Sequence, residues 1–377
     1  MINMKKEELA TPAILVDLDI LENNLKKYQQ LCDKYGKQLW PMTKTHKSIE
    51  IAKMQRDFGA AGFLGGTLDE CEALCKAGMK TIMYAYPVAS QPNISRVIEL
   101  SRKCSFIVRL DCIESARALS RAAKAAGAVI DYTVAVDSGL HRFGVAPDKA
   151  VDFVNELREL PGLRFKGISS HPGHVYGAQC HQELAKYVAD EKSAMKTAAD
   201  ALKEAGYTLE IISSGSTPTF AQAVEDENIR IYHPGNYVFH DAIQLSTETA
   251  KEEDCALTVY ATVISAPREG LLIVDAGSKC FGLDQGAHGN AAISGFGRVK
   301  GHPELEVAGL SEEVAKLKIK GETALKVGEK IEIIPNHSCV PANLTSYLVG
   351  CRKDRVERAI EVDIRENSKN PLASVKA

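Results

Sequence analysis

The sequence predicts an α/β protein, a (β/α)8 TIM barrel followed by an antiparallel β domain. Three observations predict this fold. From about residue 37 to 240, apolar or β-branched runs alternate with amphipathic helical stretches. This alternation occurs eight times, and eight βα units close naturally into a barrel. After about residue 245 the helical pattern stops, and apolar and polar residues alternate between Gly and Pro turns, which is typical of antiparallel strands.

The eight predicted strands are short and regularly spaced. They cover residues 37–46, 61–66, 80–88, 105–112, 130–139, 164–173, 209–216 and 229–239. The helices between them carry recognisable start and stop signals. Thr67 with Glu70 three residues later is a capping-box pattern, and Gly78 follows the same helix. The longest predicted helix runs from about residue 182 to Gly206.

Two domains are expected from the change of pattern. We place the barrel at residues 25–245 and a β-rich domain at residues 1–24 plus 246–377. The N-terminal segment TPAILVDLDI is strand-like, so it is expected to pair with the second domain. The segment LENNLKKYQQLCDKYG then forms a helix that leads into the barrel, and only the tail RENSKNPLASVKA looks loosely ordered.

The composition favours a small-molecule enzyme. The 377 residues include 45% hydrophobic and 25% charged residues, with a formal net charge of −3. The charges are mixed along the chain, so no basic stripe indicates a nucleic-acid or membrane partner. No apolar run approaches the ~18 residues of a membrane span, and no apolar segment follows MINMKKEELA as in a signal peptide. We therefore expect a cytoplasmic protein.

The ten cysteines are expected to be reduced thiols, because they are scattered through a long chain without an export signal. Cys71 and Cys75 lie four residues apart in a helical pattern. This spacing more often places two small residues toward a core than it forms a metal site.

Polar side chains collect where the predicted strands end, which is where barrels of this type carry their active sites. They are Lys44, His46, Asp137, Arg142, His171 and His174. In the first strand, a period of two places Trp40, Met42 and Lys44 on one face, so Lys44 can point into the barrel mouth. A surface lysine just past the strand is the alternative.

Two loops indicate a phosphate site. SSGST (213–217) and HPGNY (233–237) follow the seventh and eighth strands and supply hydroxyls and closely spaced N–H groups. Either loop alone is more often a plain turn, but strands seven and eight are the usual phosphate position of such barrels. A lysine at strand one and a phosphate at strands seven and eight span a pyridoxal 5′-phosphate (PLP).

Several motifs, in order along nearly the whole chain, carry a more specific resemblance. They are PMTKTHKS (41–48), VDSGLHRFG (136–144), SSHPGHVYG (169–177), SSGSTPT (213–219), HPGNYVFHD (233–241) and PNHSCVPANL (335–344). The chain resembles the alanine-racemase-type (fold type III) PLP enzymes, and within them the D-threonine aldolase and D-serine dehydratase branch.

The resemblance implies a role for each motif. Lys44 would hold the cofactor as a Schiff base, and Arg142 would lie near its phenolic oxygen. His171 would lie against or near the cofactor ring, and Tyr176 near the Schiff base. The residues implied in phosphate binding are Ser214, Gly215, Ser216, Gly235, Asn236 and Tyr237.

His337 and Cys339 are a candidate metal pair. They lie two residues apart directly after the strand-like KIEII, so an extended backbone would aim both side chains to one side. Imidazole and thiolate suit zinc, although spacing alone favours two buried or rim residues without a ligand role. The resemblance implies one divalent metal here, zinc or otherwise manganese or magnesium. With only two protein ligands, the metal would have coordination positions left for water or substrate.

The predicted function is a PLP- and metal-dependent lyase acting on β-hydroxy-D-amino acids. A His-x-Cys pair resembles D-serine and 3-hydroxy-D-aspartate dehydratases, which release a keto acid and ammonia, whereas aldolases of the branch carry His-x-Asp. In a dehydratase, Lys44 would take the Cα proton. In the alternative, a D-threonine aldolase-type enzyme, His174 or metal-bound water would take the hydroxyl proton and the products would be glycine and an aldehyde. Lys44, His174 and Tyr176 are the catalytic candidates.

Two rival functions fit the sequence less well. An amino-acid racemase of this fold needs a second base, a tyrosine in a GYADG-like motif, and VDAGSKCFG (274–282) lacks it. A PLP carrier protein would resemble the barrel alone, whereas this chain adds a domain with His337 and Cys339. A homodimer is expected, because fold type III sites are usually completed across two subunits.

Overall fold

Two β-sheets organise the chain in a computed structural model, which describes residues 4–285 and 292–365. The N-terminal segment forms strands β1 (Met4–Lys5) and β2 (Ala13–Asp17), followed by helix α1 (Leu18–Lys34). Asp17 starts α1 because its carboxylate accepts hydrogen bonds from the N–H groups of Asp19 and Ile20. The predicted order, a strand and then a helix leading into the barrel, is present.

The first sheet is a parallel barrel. Its strands are β3 (Gln38–Leu39), β4 (Phe63–Gly65), β5 (Thr81–Tyr84), β6 (Ser105–Leu110), β7 (Ile130–Ala135), β8 (Leu163–Ser169), β9 (Ile211–Ser214) and β10 (Ile231–Tyr232). The order around the sheet is β3-β10-β9-β8-β7-β6-β5-β4. An isolated parallel bridge between Met42 and Leu64 joins the two ends. Seven of the eight strands lie within the predicted segments and β8 begins one residue before its segment, at Leu163, so the predicted barrel is confirmed.

Helices follow the strands and form the outer layer. They are α2 (Ile49–Asp57), α3 (Leu68–Lys76), α4 (Gln91–Ser101), α5 (Ile113–Ala125), α6 (Ala150–Arg158), α7 (His181–Glu204), α8 (Thr217–Ala223) and α9 (Ala242–Ser246). The barrel interior is filled by inward-facing apolar residues of alternate strand positions. They are Trp40, Met42, Leu64, Met83, Ala85, Ile107, Ile211 and Ile231.

The start of α3 differs from the predicted capping box. Thr67 accepts a hydrogen bond from the Glu70 N–H, as predicted. The Glu70 carboxylate, however, accepts hydrogen bonds from the Gly66 N–H at 2.8 Å and from the Thr43 hydroxyl at 2.9 Å. Glu70 therefore ties α3 to the turn that follows β3, which no local pattern could indicate.

The second sheet is antiparallel except for one pairing. Its further elements are β11 (Leu257–Arg268), β12 (Leu271–Val274), α10 (Ser278–Phe281), β13 (Gly297–Val299), β14 (Leu305–Leu310), β15 (Ala315–Ile319), β16 (Lys330–Pro335), α11 (Cys339–Leu344), β17 (Tyr347–Arg352) and β18 (Arg355–Glu361). The order is β1-β18-β17-β2-β11-β12-β15-β14-β13-β16, and β11 also pairs with β16. Six of these strands, β11 to β16, thus form a closed ring. Only β2 and β17 are parallel.

The N-terminal strands belong to this second sheet, because β2 lies between β11 and β17. The antiparallel β domain is therefore confirmed, while the boundaries at residues 24 and 245 stay a prediction. The predicted loose tail lies, apart from Arg365, outside the described residues. In the part of the chain that is described, no helix has the length and apolar character needed to cross a membrane.

The cysteines form no disulfide; all ten are free. Cys71 is buried and Cys75 packs against the main core. Among the described residues, no group of three or more His, Cys, Asp or Glu side chains is arranged to hold a metal ion. The burial of Cys71 and the packing of Cys75 agree with the interpretation of both as core residues.

Candidate active site

The carboxyl ends of the barrel strands open into a cavity of ≈ 130 Å³ that the β domain closes on one side. Most lining residues follow barrel strands, and two come from the turn between β16 and α11. The lining residues are Met42, Lys44, Thr45, Ala85, Tyr86, Arg109, Arg142, His171, Tyr176, Ser216, His233, Gly235, Asn236, His337 and Cys339. The structure thus brings together most of the sequence-predicted site residues.

Lys44 lies on a single 3-10 turn, Thr43–Thr45, and not on the strand itself. The strand-period argument holds for Trp40 and Met42, which face the barrel interior. It is wrong for Lys44, because β3 ends at Leu39 and the turn begins at Thr43. The turn is fixed by the Thr43 hydroxyl, which shares its one proton between the Glu70 carboxylate and the Leu64 carbonyl, the latter at 3.0 Å. Gly66 lets it approach closely, since a Cβ there would lie 3.0 Å from Lys44 Cβ. Lys44 reaches the cavity from this clamped turn.

The neighbouring Lys47 has a different environment. It is buried, and its ammonium lies 3.7 Å from the Glu70 carboxylate. Burial raises the pKa of Glu70, while the Gly66 N–H and Lys47 lower it in part. Lys47 is absent from the cavity wall that the described residues form. Lys47 therefore pairs with the buried Glu70 behind the turn, whereas Lys44 faces the cavity.

Four residues form an anion cup beside the lysine turn: Gly215, Ser216, Gly235 and Asn236. Within residues 4–285 and 292–365, their backbone N–H groups donate to no protein acceptor. Gly215 has a φ of +136°, which favours glycine, and a Cβ on Gly235 would lie 2.9 Å from the Thr45 hydroxyl. Unpaired N–H groups next to the start of α8 are suited to hold an anion.

Ser214 and Tyr237 turn their side chains away from the anion cup. The Ser214 hydroxyl donates to Glu191 Oε1 at 2.6 Å. The Tyr237 phenol accepts a hydrogen bond from Gln55 Nε2 at 3.0 Å, and its N–H donates to the Thr217 hydroxyl at 3.1 Å. Direct phosphate binding by these two residues stays a prediction, and their side chains as placed do not supply it.

His171 presents a neutral ring to the cavity. Its Nδ1–H donates to the Gly215 carbonyl at 3.0 Å, which fixes the tautomer. Burial lowers the pKa of His171 to about 3, and the positive charges of Lys44 and Arg142 contribute.

Arg109 and His233 form a buried pair that the sequence interpretation missed. Arg109 Nη2 donates to His233 Nε2 at 3.0 Å, and Arg109 is only 6% exposed. Burial lowers the pKa of Arg109 to about 10 and holds the pKa of His233 well below its usual value. Because an arginine can only donate, His233 is neutral with its proton on Nδ1. Arg109 lies two residues after Ile107 in β6, so its side chain also faces the barrel interior. This spacing is the sequence signal that could have identified Arg109.

Arg142 lies on the rim of the cavity. Its guanidinium lies over the rings of Tyr86 and Phe143, at 5.9 and 5.2 Å from their centroids. The loop that carries it is folded by Asp137, whose carboxylate accepts hydrogen bonds from the N–H groups of Gly139 and His141. Asp137 is thus a loop-shaping residue and lies behind the rim.

His174 and Tyr176 share one turn but face different surroundings. The His174 ring packs against Tyr187 with centroids 5.0 Å apart, its Nε2 lies 4.0 Å from Asp190 Oδ2, and His174 is not part of the cavity wall. Tyr176 lines the cavity, 6.3 Å from the His337 ring. Burial raises the pKa of Tyr176, and nearby Cys339 raises it further, so the phenol keeps its proton.

His337 and Cys339 converge, but from a turn. β16 ends at Pro335 and Cys339 begins α11, so the expectation of an extended backbone was wrong. Burial would lower the pKa of His337, yet Cys339 and Asp241 raise it well above its usual value. Burial would likewise raise the pKa of Cys339, but His337 and Lys44 lower it overall. The pair therefore has the character of a thiolate beside an imidazole.

Asp241, a barrel residue that the sequence interpretation left without a role, supports this pair. Its Oδ2 lies 3.3 Å from His337 Nδ1 and accepts hydrogen bonds from the Ser338 N–H and from Asn236 Nδ2. Burial would raise the pKa of Asp241, but His337 and these donors lower it. A carboxylate behind an imidazole directs the other ring nitrogen toward a ligand. The same carboxylate also holds Asn236 of the anion cup.

Helix α11 is fastened to the lysine turn. Asn343 Nδ2 donates to the carbonyls of Cys339 at 2.7 Å, Thr45 at 3.2 Å and Lys44 at 3.3 Å. Cys339 Sγ lies 3.3 Å from the Thr45 hydroxyl. These contacts set the candidate metal pair against Lys44 across one cavity.

Comparison with known proteins assigns the fold to a family. The model of the family described as "Alanine racemase, N-terminal domain" matches residues 16–242, more than half of the chain. The chain belongs to this family. A second model, "Putative serine dehydratase domain", matches residues 256–351. The predicted membership of the alanine-racemase-type enzymes is confirmed.

The proteins that are similar to this chain include both dehydratases and aldolases. It is 31% identical to D-threo-3-hydroxyaspartate dehydratase from Delftia sp. (strain HT23), over 88% of this chain and 91% of that protein. It is 30% identical to D-serine dehydratase from Dictyostelium discoideum, over 90% and 92%. The structure of D-threonine aldolase from Filomicrobium marinum superposes with a TM-score of 0.89 at 28% identity, over 97% and 98%. The comparisons thus support the predicted branch without separating its two reactions.

The alanine racemase family implies PLP, and the described residues fit it. A lysine reaches the cavity from its turn, and four unpaired N–H groups form the anion cup beside that turn. Both features are what an aldehyde with a phosphate group requires. The donor set of His337 and Cys339, with Asp241 behind the imidazole, likewise fits a divalent metal and suits zinc.

Proposed function

We propose that this protein is a PLP- and metal-dependent lyase for β-hydroxy-D-amino acids, and that it is a dehydratase releasing a keto acid and ammonia. One observation carries the proposal: Lys44 and the pair of His337 and Cys339 face the same cavity. A cofactor-bearing lysine alone would serve many reactions. A metal pair opposite it supports chemistry at the substrate Cβ.

The chemistry divides between the two groups that the site would hold. PLP, when bound, withdraws electrons from the bonds at the substrate Cα. Lys44 would hold it covalently, the anion cup would hold its phosphate, and the neutral His171 would lie against its ring. His337 and Cys339 would hold the metal, which supplies Lewis acidity at the β-hydroxyl.

The protein groups then have distinct tasks. When it is not bonded to the cofactor, the Lys44 amine would be the base that takes the Cα proton. Tyr176 keeps its proton and can donate a hydrogen bond to an oxygen of the substrate. Arg142 on the rim supplies positive charge for the anionic cofactor or substrate carboxylate. The buried Arg109 keeps His233 neutral in the cavity wall.

Aldolase cleavage is the second candidate, because aldolases are among the relatives. That reaction needs a base for the hydroxyl proton. His174, the candidate from the sequence, packs against α7 and not on the cavity wall. This placement, together with the sulfur ligand at position 339, favours the dehydratase.

The deciding experiment is incubation of the purified protein with D-serine, D-threonine and 3-hydroxy-D-aspartate. Keto acid and ammonia in equal amounts are the expected products. Glycine and an aldehyde would instead assign the aldolase reaction, and interconversion of D- and L-isomers alone would assign a racemase.

Three finer predictions belong to this proposal. Zinc is the expected metal, since imidazole and thiolate suit it better than manganese or magnesium. A homodimer is expected from the family resemblance. A cytoplasmic location is expected from the sequence. Metal analysis, light scattering and cell fractionation test them separately.

A further inference from the structure

Glu191 is a buried carboxyl next to the anion cup that no step above uses. It lies on α7 with an exposure of 0%. Its Oε1 accepts the Ser214 hydroxyl at 2.6 Å, and the Thr219 hydroxyl also interacts with the carboxyl. The Thr219 hydroxyl in turn lies 3.1 Å from the Ser216 hydroxyl. The Ser214 hydroxyl alone connects Glu191 to one side of Gly215, and the hydroxyls of Thr219 and Ser216 in series connect it to the other side.

No cation neutralises this carboxyl. In the described part of the chain, no Lys, Arg or His group lies within salt-bridge distance of Glu191. The titratable groups around it are Asp226 after α8, Lys192 on its own helix and Tyr232 on β10. Burial raises the pKa of Glu191 to about 7, while the Ser214 and Thr219 hydroxyls lower it in part. A carboxylate here is desolvated and has only neutral donors.

We propose that Glu191 is a positioning residue for the cofactor phosphate and that it takes up one proton from solvent when the phosphate enters the anion cup. This inference rests on the proposed function, which assigns the phosphate to that cup. The carboxylate plus one solvent proton gives a neutral carboxyl group, and no bond to the cofactor forms or breaks. The neutral group still accepts the Ser214 hydroxyl through Oε1, so the loop keeps its shape.

The physical reason is repulsion between two anions. A phosphate in the cup and a carboxylate behind Ser214 would be separated only by side-chain hydroxyl groups in a region with little water. Like charges at such distances disfavour the ionised form of the weaker acid. Phosphate binding therefore raises the pKa of Glu191, and the protonated form binds PLP more tightly. Affinity is full at low pH and falls as pH rises through the pKa of the complex.

The test is cofactor binding by the full-length apoenzyme between about pH 6.5 and 8.5. PLP and pyridoxal, which lacks the phosphate, are titrated against wild type, Glu191→Gln and Glu204→Gln. Glu204 is exposed on the same helix and provides a matched control. Calorimetry in buffers of different ionisation enthalpy counts the protons taken up. The phosphate itself titrates near pH ~6, but in all variants alike.

We expect the dissociation constant for PLP to rise with pH in wild type and Glu204→Gln, by at most about tenfold per pH unit for one linked proton. Glu191→Gln should lose the part of this dependence and of the proton uptake that exceeds the contributions of the phosphate and Lys44, which all variants share. Pyridoxal should show no difference between the variants. Equal pH dependence for PLP in wild type and Glu191→Gln would overturn the proposal.

A second variant covers the case in which Glu191→Gln does not fold. Ser214→Ala removes a donor to the carboxyl, so Glu191 should already be protonated before binding and proton uptake at pH ~7.5 should decrease. Unchanged uptake would overturn the proposal. If wild type binds PLP no more tightly than pyridoxal, the phosphate assignment under the proposed function fails as well. Tight PLP binding without proton linkage overturns only the role of Glu191.

Discussion

The two sides of the cavity are built from opposite chemistry. The barrel side consists of backbone N–H groups and cations that come from the ends of many strands. The β-domain side consists of one turn, in which a thiolate and an imidazole lie beside each other. One side therefore favours an anion and the other a cation. The comparison teaches that cofactor binding and metal binding can be lost separately, although catalysis needs both.

The largest effect is expected on the barrel side, from Lys44→Ala. It removes both the covalent attachment and the base, so activity should fall by about a thousandfold or more. Borohydride reduction of wild type should attach the cofactor at Lys44, as identified by peptide mass spectrometry. Lys186→Ala, an exposed lysine on α7, is the control. Attachment at Lys47 would contradict the assignment.

On the β-domain side, Cys339→Ala or chelation should lower activity by about a hundred- to a thousandfold, because Lewis acidity contributes roughly several kcal/mol to the transition state. The absorbance of the bound cofactor should stay nearly unchanged. Cys112→Ala, at an exposed thiol, provides the control. Metal-free protein that still exchanges the substrate Cα proton with solvent would support the dehydratase order of steps, while full lyase activity would refute a metal role.

A residue that serves both sides sharpens the comparison. Asp241 orients His337 and also holds Asn236 of the anion cup. Asp241→Asn should weaken metal binding by about ten- to a hundredfold, as expected for loss of the carboxylate behind a metal-binding imidazole. It should weaken PLP binding to a smaller extent. Competition with a chelator and cofactor titration measure the two effects, with Asp200→Asn, at a partly exposed ion pair on α7, as reference. A change in PLP binding alone would separate Asp241 from the metal.

The smallest effect is expected from Arg142→Ala. The guanidinium lies on an exposed rim over two aromatic rings, so its loss should reduce turnover by about tenfold with little change in melting temperature. Arg164→Ala, at an ion pair with Asp131 near the start of β7, is the matched control and should leave turnover unchanged. Unchanged turnover with a clearly lower melting temperature in Arg142→Ala would assign a structural role instead.

The periodic parts of the chain could be predicted from the sequence, and the long-range contacts could not. The eight barrel strands follow from alternating strand and helix patterns, which are local. The contact of Arg109 with His233 and that of Asp241 with His337 join segments far apart in the chain. A single sequence does not show which residues of such distant segments face each other. For the same reason the roles of Glu191 and Asn343 were missed.

Directions of side chains were predicted less well than positions. Lys44 and the pair of His337 and Cys339 reach the cavity from turns, although strand geometry was the argument for both. Ser214 and Tyr237 lie next to the residues of the anion cup, but their buried side chains point away from it, toward Glu191 and Gln55. A motif fixes where a residue lies along the chain, whereas a turn of one or two residues decides where its side chain points.

The amide of Asn343 holds helix α11 through the main-chain carbonyl of Cys339 and makes no contact with its sulfur. This bond is therefore independent of the side chain at position 339, although the sulfur there also contacts the Thr45 hydroxyl. Evolution or design can exchange the donor atom there, from sulfur to oxygen, without rebuilding the turn or the lysine on its far side. Metal preference in this architecture is thus a property that a single position can vary.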